Sequence, residues 1–423
     1  MLYKYEFKNF CSFYELNSFD MLASQTKVRN RFPNNFYKTK LGLSPLKTMV
    51  IVGENAGGKS NFIKSLNFFK SLFIDNKPIS SIKNFINTNN LCSENLAECD
   101  STQSFSIEVI IDNEIYIYNL VIDIFSIIEE SLYIQKNKKA EKKLILHASR
   151  SKHNSQFNET KKSYKLQASY KFEAAISDEI KVPLEEAMKN TDKIGLFVNK
   201  LALLENKYSK KLINWINNDL FAENILINYD LYKDFQREED DIRIIKEKKF
   251  IDILKMVDYS IVDIEIDDDR PFIKTIIKRK KVNGEFFSKE LQNDSTGVRE
   301  FFAWAVQIYR VVYENKTFFA DEMDRVLNPI LSDRIISFIN GKAHTGQFIL
   351  TTHNVLHLDL KKYMKEQIYF ITKNKETLNS ELYSLADFPE IRYETTKIHE
   401  FYMKGLLGGT SDYSLSSAPP ITT

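Results

Sequence analysis

Apolar positions change period several times along the chain, and each period predicts a different element. The start, Met1-Leu-Tyr-Lys-Tyr-Glu-Phe-Lys8, alternates apolar and polar residues as a half-buried strand does. Thr48–Val52 is a short unbroken apolar run, the pattern of a parallel strand buried on both faces. Directly after it, Phe62, Ile63, Leu66 and Phe69 recur at helical spacing. From about 60 to 150 the chain reads as strands and hairpins, with an Asp112-Asn113 turn between two alternating segments. Between about 175 and 255 it reads as helices, with Leu184, Ala187 and Met188 on one apolar face and Leu212, Trp215, Ile216 and Leu220 on another. Alternation returns after Asp258 (Ile261, Val262, Ile264, Ile266) and leads into a hairpin turning at Asn283-Gly284. A long apolar helix opens at Gly297 and carries Phe301, Phe302, Trp304, Ala305 and Ile308. Lys316–Ala320 and Gln347–Leu350 predict two more strands. No heptad run predicts a long coiled-coil arm, and no uncharged run approaches the roughly 20 residues of a membrane span.

Composition adds a few bounds. The 423 residues correspond to two or three domains. A net charge of +2, from 59 basic and 57 acidic residues, selects no polyanionic partner. With 31 Phe and 21 Tyr, aromatic rings must supply much of the core. Cys11, Cys92 and Cys99 are too few for a disulfide framework and odd in number, and neither they nor the histidines show zinc-site spacing. The start lacks a signal peptide's apolar stretch, so a soluble cytoplasmic protein with no membrane contact is expected.

Glycine changes the picture more. Among only 12 glycines, Gly53, Gly57 and Gly58 crowd between the predicted strand and helix. The segment Gly53-Glu54-Asn55-Ala56-Gly57-Gly58-Lys59-Ser60 matches G-x-x-x-x-G-K-[ST] in the strand–loop–helix context that a phosphate-binding loop requires. Backbone N–H groups and the helix N-terminus would cradle the phosphates of ATP, with Asn61 following in the first turn. Lys59 would add a mobile charge, and Ser60 would offer its hydroxyl to Mg²⁺. A second metal partner is expected at the end of another apolar strand, where Asp321 would complete the magnesium shell and Glu322 would polarise the attacking water. Ser295-Thr296-Gly297 starts the long helix before this pair, and His353 follows the strand after it.

That order of phosphate loop, Ser-x-Gly helix start, Asp-Glu strand end and His strand end resembles the ABC-type ATPase head. The branch is the one shared by RecF and the structural-maintenance-of-chromosomes proteins. Asn9-Phe10-Cys11-Ser12-Phe13 is similar to that branch's opening, and Asp321-Glu322-Met323-Asp324 is similar to the link between its acidic pair and its D-loop, with Asp324 as the D-loop residue. Ser104–Tyr118, Glu366–Ile371, Glu381–Phe388 and Phe401–Gly405 extend a narrower resemblance, to ATPases of the RloA and lactococcal abortive-infection L type from anti-phage loci. Two departures stand out: Leu327-Asn328-Pro329 replaces the usual Leu-His-Pro, and Gly405-Leu-Leu-Gly-Gly409 replaces Gly-Arg-Tyr/Phe-Gly-Ala. The second puts in doubt any interaction that uses that arginine.

The resemblance implies an α/β P-loop NTPase of ABC-ATPase head type with a β-rich subdomain and a helical insertion. It implies Mg²⁺-dependent ATP hydrolysis, with Glu322 and His353 catalytic and Ser295, Thr296 and Gly297 acting in trans in a head-to-tail homodimer or higher even oligomer. It also implies a sensor role in an anti-phage system that controls a separate effector, such as a nuclease or toxin. The expected division is 1–150 for the first part of the head, 151–257 for a mainly helical insertion, 258–409 for the second part and 410–423 for a disordered tail. A RecF-like DNA-clamping ATPase is the alternative. A nuclease carrying its own Toprim domain is disfavoured, because the stretch after His353 is too short for one. Nucleic-acid contact would fall to Lys278-Arg279-Lys280-Lys281 or to Lys136, Lys138, Lys139, Lys142 and Lys143. Acidic runs at Glu238-Glu239-Asp240-Asp241 and Asp267-Asp268-Asp269 balance these, and a solvated hairpin is the simpler account of them.

Overall fold

The computed structural model describes residues 1–24, 27–74, 85–87, 101–123, 126–158, 163–173, 182, 195–223, 239–266, 275–325, 327–394 and 396–407. Strands β1 (Leu2–Lys8) and β2 (Asn17–Asp20) pair antiparallel ahead of β3 (Thr48–Gly53), which is buried throughout and runs into helix α1 (Lys59–Ile74). A meander follows: β4 (Gln103–Ile111), β5 (Glu114–Ile122), β6 (Ile127–Gln135), β7 (Lys143–Asn158) and β8 (Ser163–Glu173). With β1 and β2 it makes one antiparallel sheet in the order β2-β1-β4-β5-β6-β7-β8. Asp112 and Asn113 both take positive φ, 49° and 61°, as the expected two-residue hairpin turn requires.

Next come α2 (Phe197–Leu203), α3 (Lys207–Asn218), β9 (Leu220–Glu223), α4 (Glu239–Ile245) and α5 (Lys248–Leu254). A three-stranded antiparallel sheet comprises β10 (Ile261–Glu265), β11 (Ile276–Lys280) and β12 (Phe286–Glu290). The remainder is α6 (Thr296–Glu314), β13 (Thr317–Asp321), α7 (Pro329–Gly341), β14 (Gln347–Thr352), β15 (Ile368–Lys373), β16 (Ser380–Ser384) and α8 (Ile398–Met403).

Two expectations are corrected here. The division at 150/151 falls inside β7, and the described residues on to Glu173 form a hairpin rather than part of a helical insertion. Ser151–Asn158 is mostly polar, so no apolar period marks it; backbone pairing with β8 makes it a strand. Leu220 is not on a helix face. The helix ends at Asn218, and Leu220 opens β9, which pairs parallel with Thr317 on β13. Leu184, Ala187, Met188, Cys92, Cys99, the acidic run at Asp267–Asp269 and the tail from Thr410 lie outside the described residues.

The second large sheet has the order β16-β15-β3-β14-β13-β9, parallel at every pairing but β15–β16. Successive residues of its strands face opposite layers, as the two-residue period of a strand dictates. Met49, Ile51, Phe319, Ile349 and Ile371 pack with α1 and the antiparallel sheet. Val50, Val52, Phe318, Phe348, Leu350 and Phe370 pack with α6 and α7. Rings fill the first layer: Phe62 lies 5.3 Å from Phe19 and 6.1 Å from Phe319, centroid to centroid. The molecule is an α/β fold in which the strand leading into the glycine-rich loop lies at the centre of the largely parallel sheet. Among the described residues no helix is long and apolar enough to cross a membrane.

Candidate functional site

The loop between β3 and α1 is shaped by what surrounds it. A Cβ on Gly53 would overlap the Ile371 carbonyl oxygen, and one on Gly58, whose φ is +120°, would overlap the Ser380 hydroxyl. Only glycine fits at either position. Ala56 also takes a positive φ, 61°, and the Gly57 N–H donates to the Glu54 carbonyl at 3.2 Å. Gly57, Gly58 and Lys59 are buried, whereas Asn55, Ala56 and Ser60 are exposed. The first turn of α1 holds no acidic residue, so its N–H groups and positive dipole end keep their attraction for an anion.

Lys59, expected as a mobile cation, is held. Its Nζ donates to the carbonyls of Gly53 and Glu54, each at 3.0 Å, and lies 2.9 Å from His353 Nε2. Burial pushes its pKa down, and the Glu322, Asp321, Glu54 and Asp324 carboxylates pull it back in part. His353 Nε2 is 3.2 Å from Glu322 Oε1. Lys59, Glu322 and His353, widely separated in sequence, therefore meet at one point.

The strands explain why they meet. β14 lies between β3 and β13, and Asp321 is in register with Thr351. The Thr351 hydroxyl donates to Asp321 Oδ1 at 2.6 Å and accepts from the Glu322 N–H at 3.0 Å. Glu322 takes φ 51°, the left-handed region, which turns its side chain off the strand end toward His353. Asp324 accepts from the Thr352 hydroxyl at 2.5 Å, and burial raises its pKa. Beneath it, His357 is sealed from solvent. Tyr363 OH donates to its Nδ1 at 2.9 Å, and its Nε2–H donates to Ser332 Oγ at 3.1 Å. Burial lowers the His357 pKa to about 4.

Ser295 caps α6, accepting from the Val298 N–H at 3.4 Å, and a Cβ on Gly297 would meet nothing within 4 Å. No described side-chain hydrogen bond joins Ser295, Thr296 or Gly297 to the loop at Gly53–Ser60; Thr296 accepts from Arg299 and the Ser295 N–H donates to Asp294. Asn328, standing where the resembling proteins have His, caps α7 by accepting from the Ile330 N–H at 2.8 Å. The run Lys278–Lys281 is largely neutralised: Lys278 pairs with Asp263 and Glu265, Lys281 with Glu285, and buried Arg279 with Asp258 at 2.7 Å and Asp294 at 2.6 Å. Lys136, Lys138, Lys139, Lys142 and Lys143 are exposed. The sequence alone assigns no role to Thr351, Thr352 or Ser380, whose partners come from distant segments and leave no local pattern.

Asp321 and Ser60 are the groups that could hold a metal. Asp321 is fixed by Thr351, Ser60 is an exposed hydroxyl on the first turn of α1, and both donate through oxygen. Among the described residues no three His, Cys, Asp or Glu side chains form a metal cage. Few protein oxygens, completed by phosphate and water, suit Mg²⁺.

A family model described as "AAA domain, putative AbiEii toxin, Type IV TA system" matches residues 49–359. No curated protein matches the chain. Among solved structures, the SMC head domain from Thermotoga maritima is 12% identical with a TM-score of 0.42, the match covering 90% of this chain and 98% of that one. An Smc head bound to the C-winged helix domain of ScpA is 15% identical with a TM-score of 0.45, covering 90% and 97%. An Smc head with an extended coiled coil, derived from Pyrococcus furiosus, is 13% identical with a TM-score of 0.43, covering 91% and 96%.

Proposed function

The chain belongs to the AAA-domain family that its residues 49–359 match, and from that premise we propose that it hydrolyses ATP with Mg²⁺ at a site shared between two copies. The observation that carries this reading is the meeting of Lys59, His353 and Glu322, with 2.9 Å and 3.2 Å between successive partners. Ser60 and Asp321 would hold the magnesium ion, which supplies positive charge against the phosphate oxygens. Lys59 must release at least one of its three present partners to reach a phosphate. His353 then stays beside Glu322, whose carboxylate accepts a proton from the attacking water. Ser295 and Gly297, open on the surface, offer the α6 N-terminus to the nucleotide of a partner. The family's description names a toxin of a type IV toxin–antitoxin system. A role in anti-phage defence, with ATP turnover reporting on or restraining a separate effector, rests on the resemblance of the chain to ATPases from anti-phage loci.

ATP turnover of purified parent, Lys59→Ala and Glu322→Gln chains tests the core of the reading. Lys59→Ala should lose both ATP binding and turnover. Glu322→Gln should bind ATP normally and turn it over about a hundredfold more slowly or less. Parental turnover by a folded Lys59→Ala chain would remove the assignment of the loop, and parental turnover by Glu322→Gln would make Glu322 structural.

A further inference from the structure

The phosphate loop is gripped from outside by two serines belonging to other segments. Ser380, at the start of β16, is 3% exposed, and its Oγ lies 2.6 Å from the Gly57 carbonyl oxygen. A hydroxyl has one hydrogen, and this contact uses it. Ser12 Oγ, 2.7 Å away, therefore donates to Ser380 Oγ, and itself accepts from Asn61 Nδ2 at 2.9 Å. The Ser380 N–H also donates to the Ser12 carbonyl at 2.7 Å. A relay thus runs from the first turn of α1 through the β1–β2 connection and β16 to the carbonyl of Gly57.

The Gly57 carbonyl and the Gly58 N–H belong to one rigid trans peptide, in which they point opposite ways. Fixing the carbonyl against Ser380 fixes the N–H on the other side. Glycine on both sides of that peptide would otherwise let it turn freely. We infer that Ser380 and Ser12 are positioning residues that hold the Gly57–Gly58 peptide ready for phosphate, so that ATP affinity depends on two hydroxyls outside the loop. The inference rests on the reading of Gly53–Ser60 as the phosphate loop. The effect is one of preorganisation: without the relay, the peptide is ordered only as ATP binds, and affinity falls.

ATP affinity measured by titration calorimetry in magnesium buffer, with turnover and thermal melts on the same samples, tests it for Ser380→Ala, Ser12→Ala, their double variant and Lys59→Ala. Each serine variant should bind ATP about tenfold more weakly, the size of one lost buried hydrogen bond. Turnover at saturating ATP should stay within about twofold of the parent, since no reacting group moves. The double variant should be no weaker than the weaker single one, because the hydroxyls act as one chain. Parental affinity in a folded serine variant overturns the inference, as does a double loss equal to the product of the two singles. If Ser380→Ala does not fold, Ser12→Ala decides, since that position is only half-buried. Lost binding in Lys59→Ala beside intact binding in the serine variants removes the relay alone. Intact binding in Lys59→Ala removes the loop assignment itself.

Discussion

Thr351 does two things with one hydroxyl, donating to Asp321 and accepting from the Glu322 N–H. Valine has the same shape and can do neither, so Thr351→Val should leave the buried strand packed while removing one partner from the Asp321 carboxylate and one from the Glu322 N–H, which keeps the Thr351 carbonyl at 3.1 Å. Turnover should fall about tenfold or more with ATP affinity changed little, measured as kcat against KM. His357 gives a different signature. Its pKa of about 4 in the fold lies below the ordinary 6.5, so the unfolded chain binds the extra proton first as pH falls. Its contribution is present above pH 6.5 and is lost as pH drops toward 4, the loss amounting to roughly 2 kcal/mol at pH 5. In His357→Gln the difference between melting temperatures at pH 7 and pH 5 should shrink; an unchanged difference would place the acid sensitivity elsewhere. At this scale the sequence was legible where function demands a residue type next to its motif. Gly53, Lys59 and Asp321 announce themselves by spacing. Ser380 and His357 do not, because their partners Gly57 and Ser332 are supplied by the fold.

Among the elements, α6 carries the clearest test. Its 19 residues join the open Ser295–Gly297 end to β13 and the acidic pair. If that end completes a partner's site, Gly297→Asp places a side chain and a negative charge where a phosphate should approach. Since a Cβ at Gly297 meets nothing within 4 Å in its own chain, folding should be unaffected. Gly297→Asp and Lys59→Ala should each be inactive alone, and mixed heterodimers should regain part of the activity through the one site with both halves intact. Normal turnover by Gly297→Asp alone would end the assignment of this helix start. Elements with strong periods were legible: β3, α1, α6 and β13 stand where the apolar pattern places them. The second half of β7 and all of β9 were not. Ser151–Asn158 is mostly polar and paired by its backbone, and β9 is four residues long, too short to show a period against the helix before it.

For the molecule as a whole, the order of motifs was readable but the weaving of the chain was not. Gln347 ties β14 to the first strand, accepting from the Leu2 N–H at 2.6 Å and donating to the Leu2 carbonyl at 2.7 Å. β3 pairs on both sides with strands from the last fifth of the chain, β14 and β15. The same late region supplies Ile371, against which Gly53 packs, and the serine that holds Gly57. A nascent chain emerges from the ribosome in order, N-terminus first. It exposes its phosphate-loop residues early, yet lacks the walls that shape them until translation has passed Ser380. Fragments released by premature termination therefore carry the whole motif without a formed nucleotide site. A formed nucleotide site therefore waits on residues more than 300 positions after the motif.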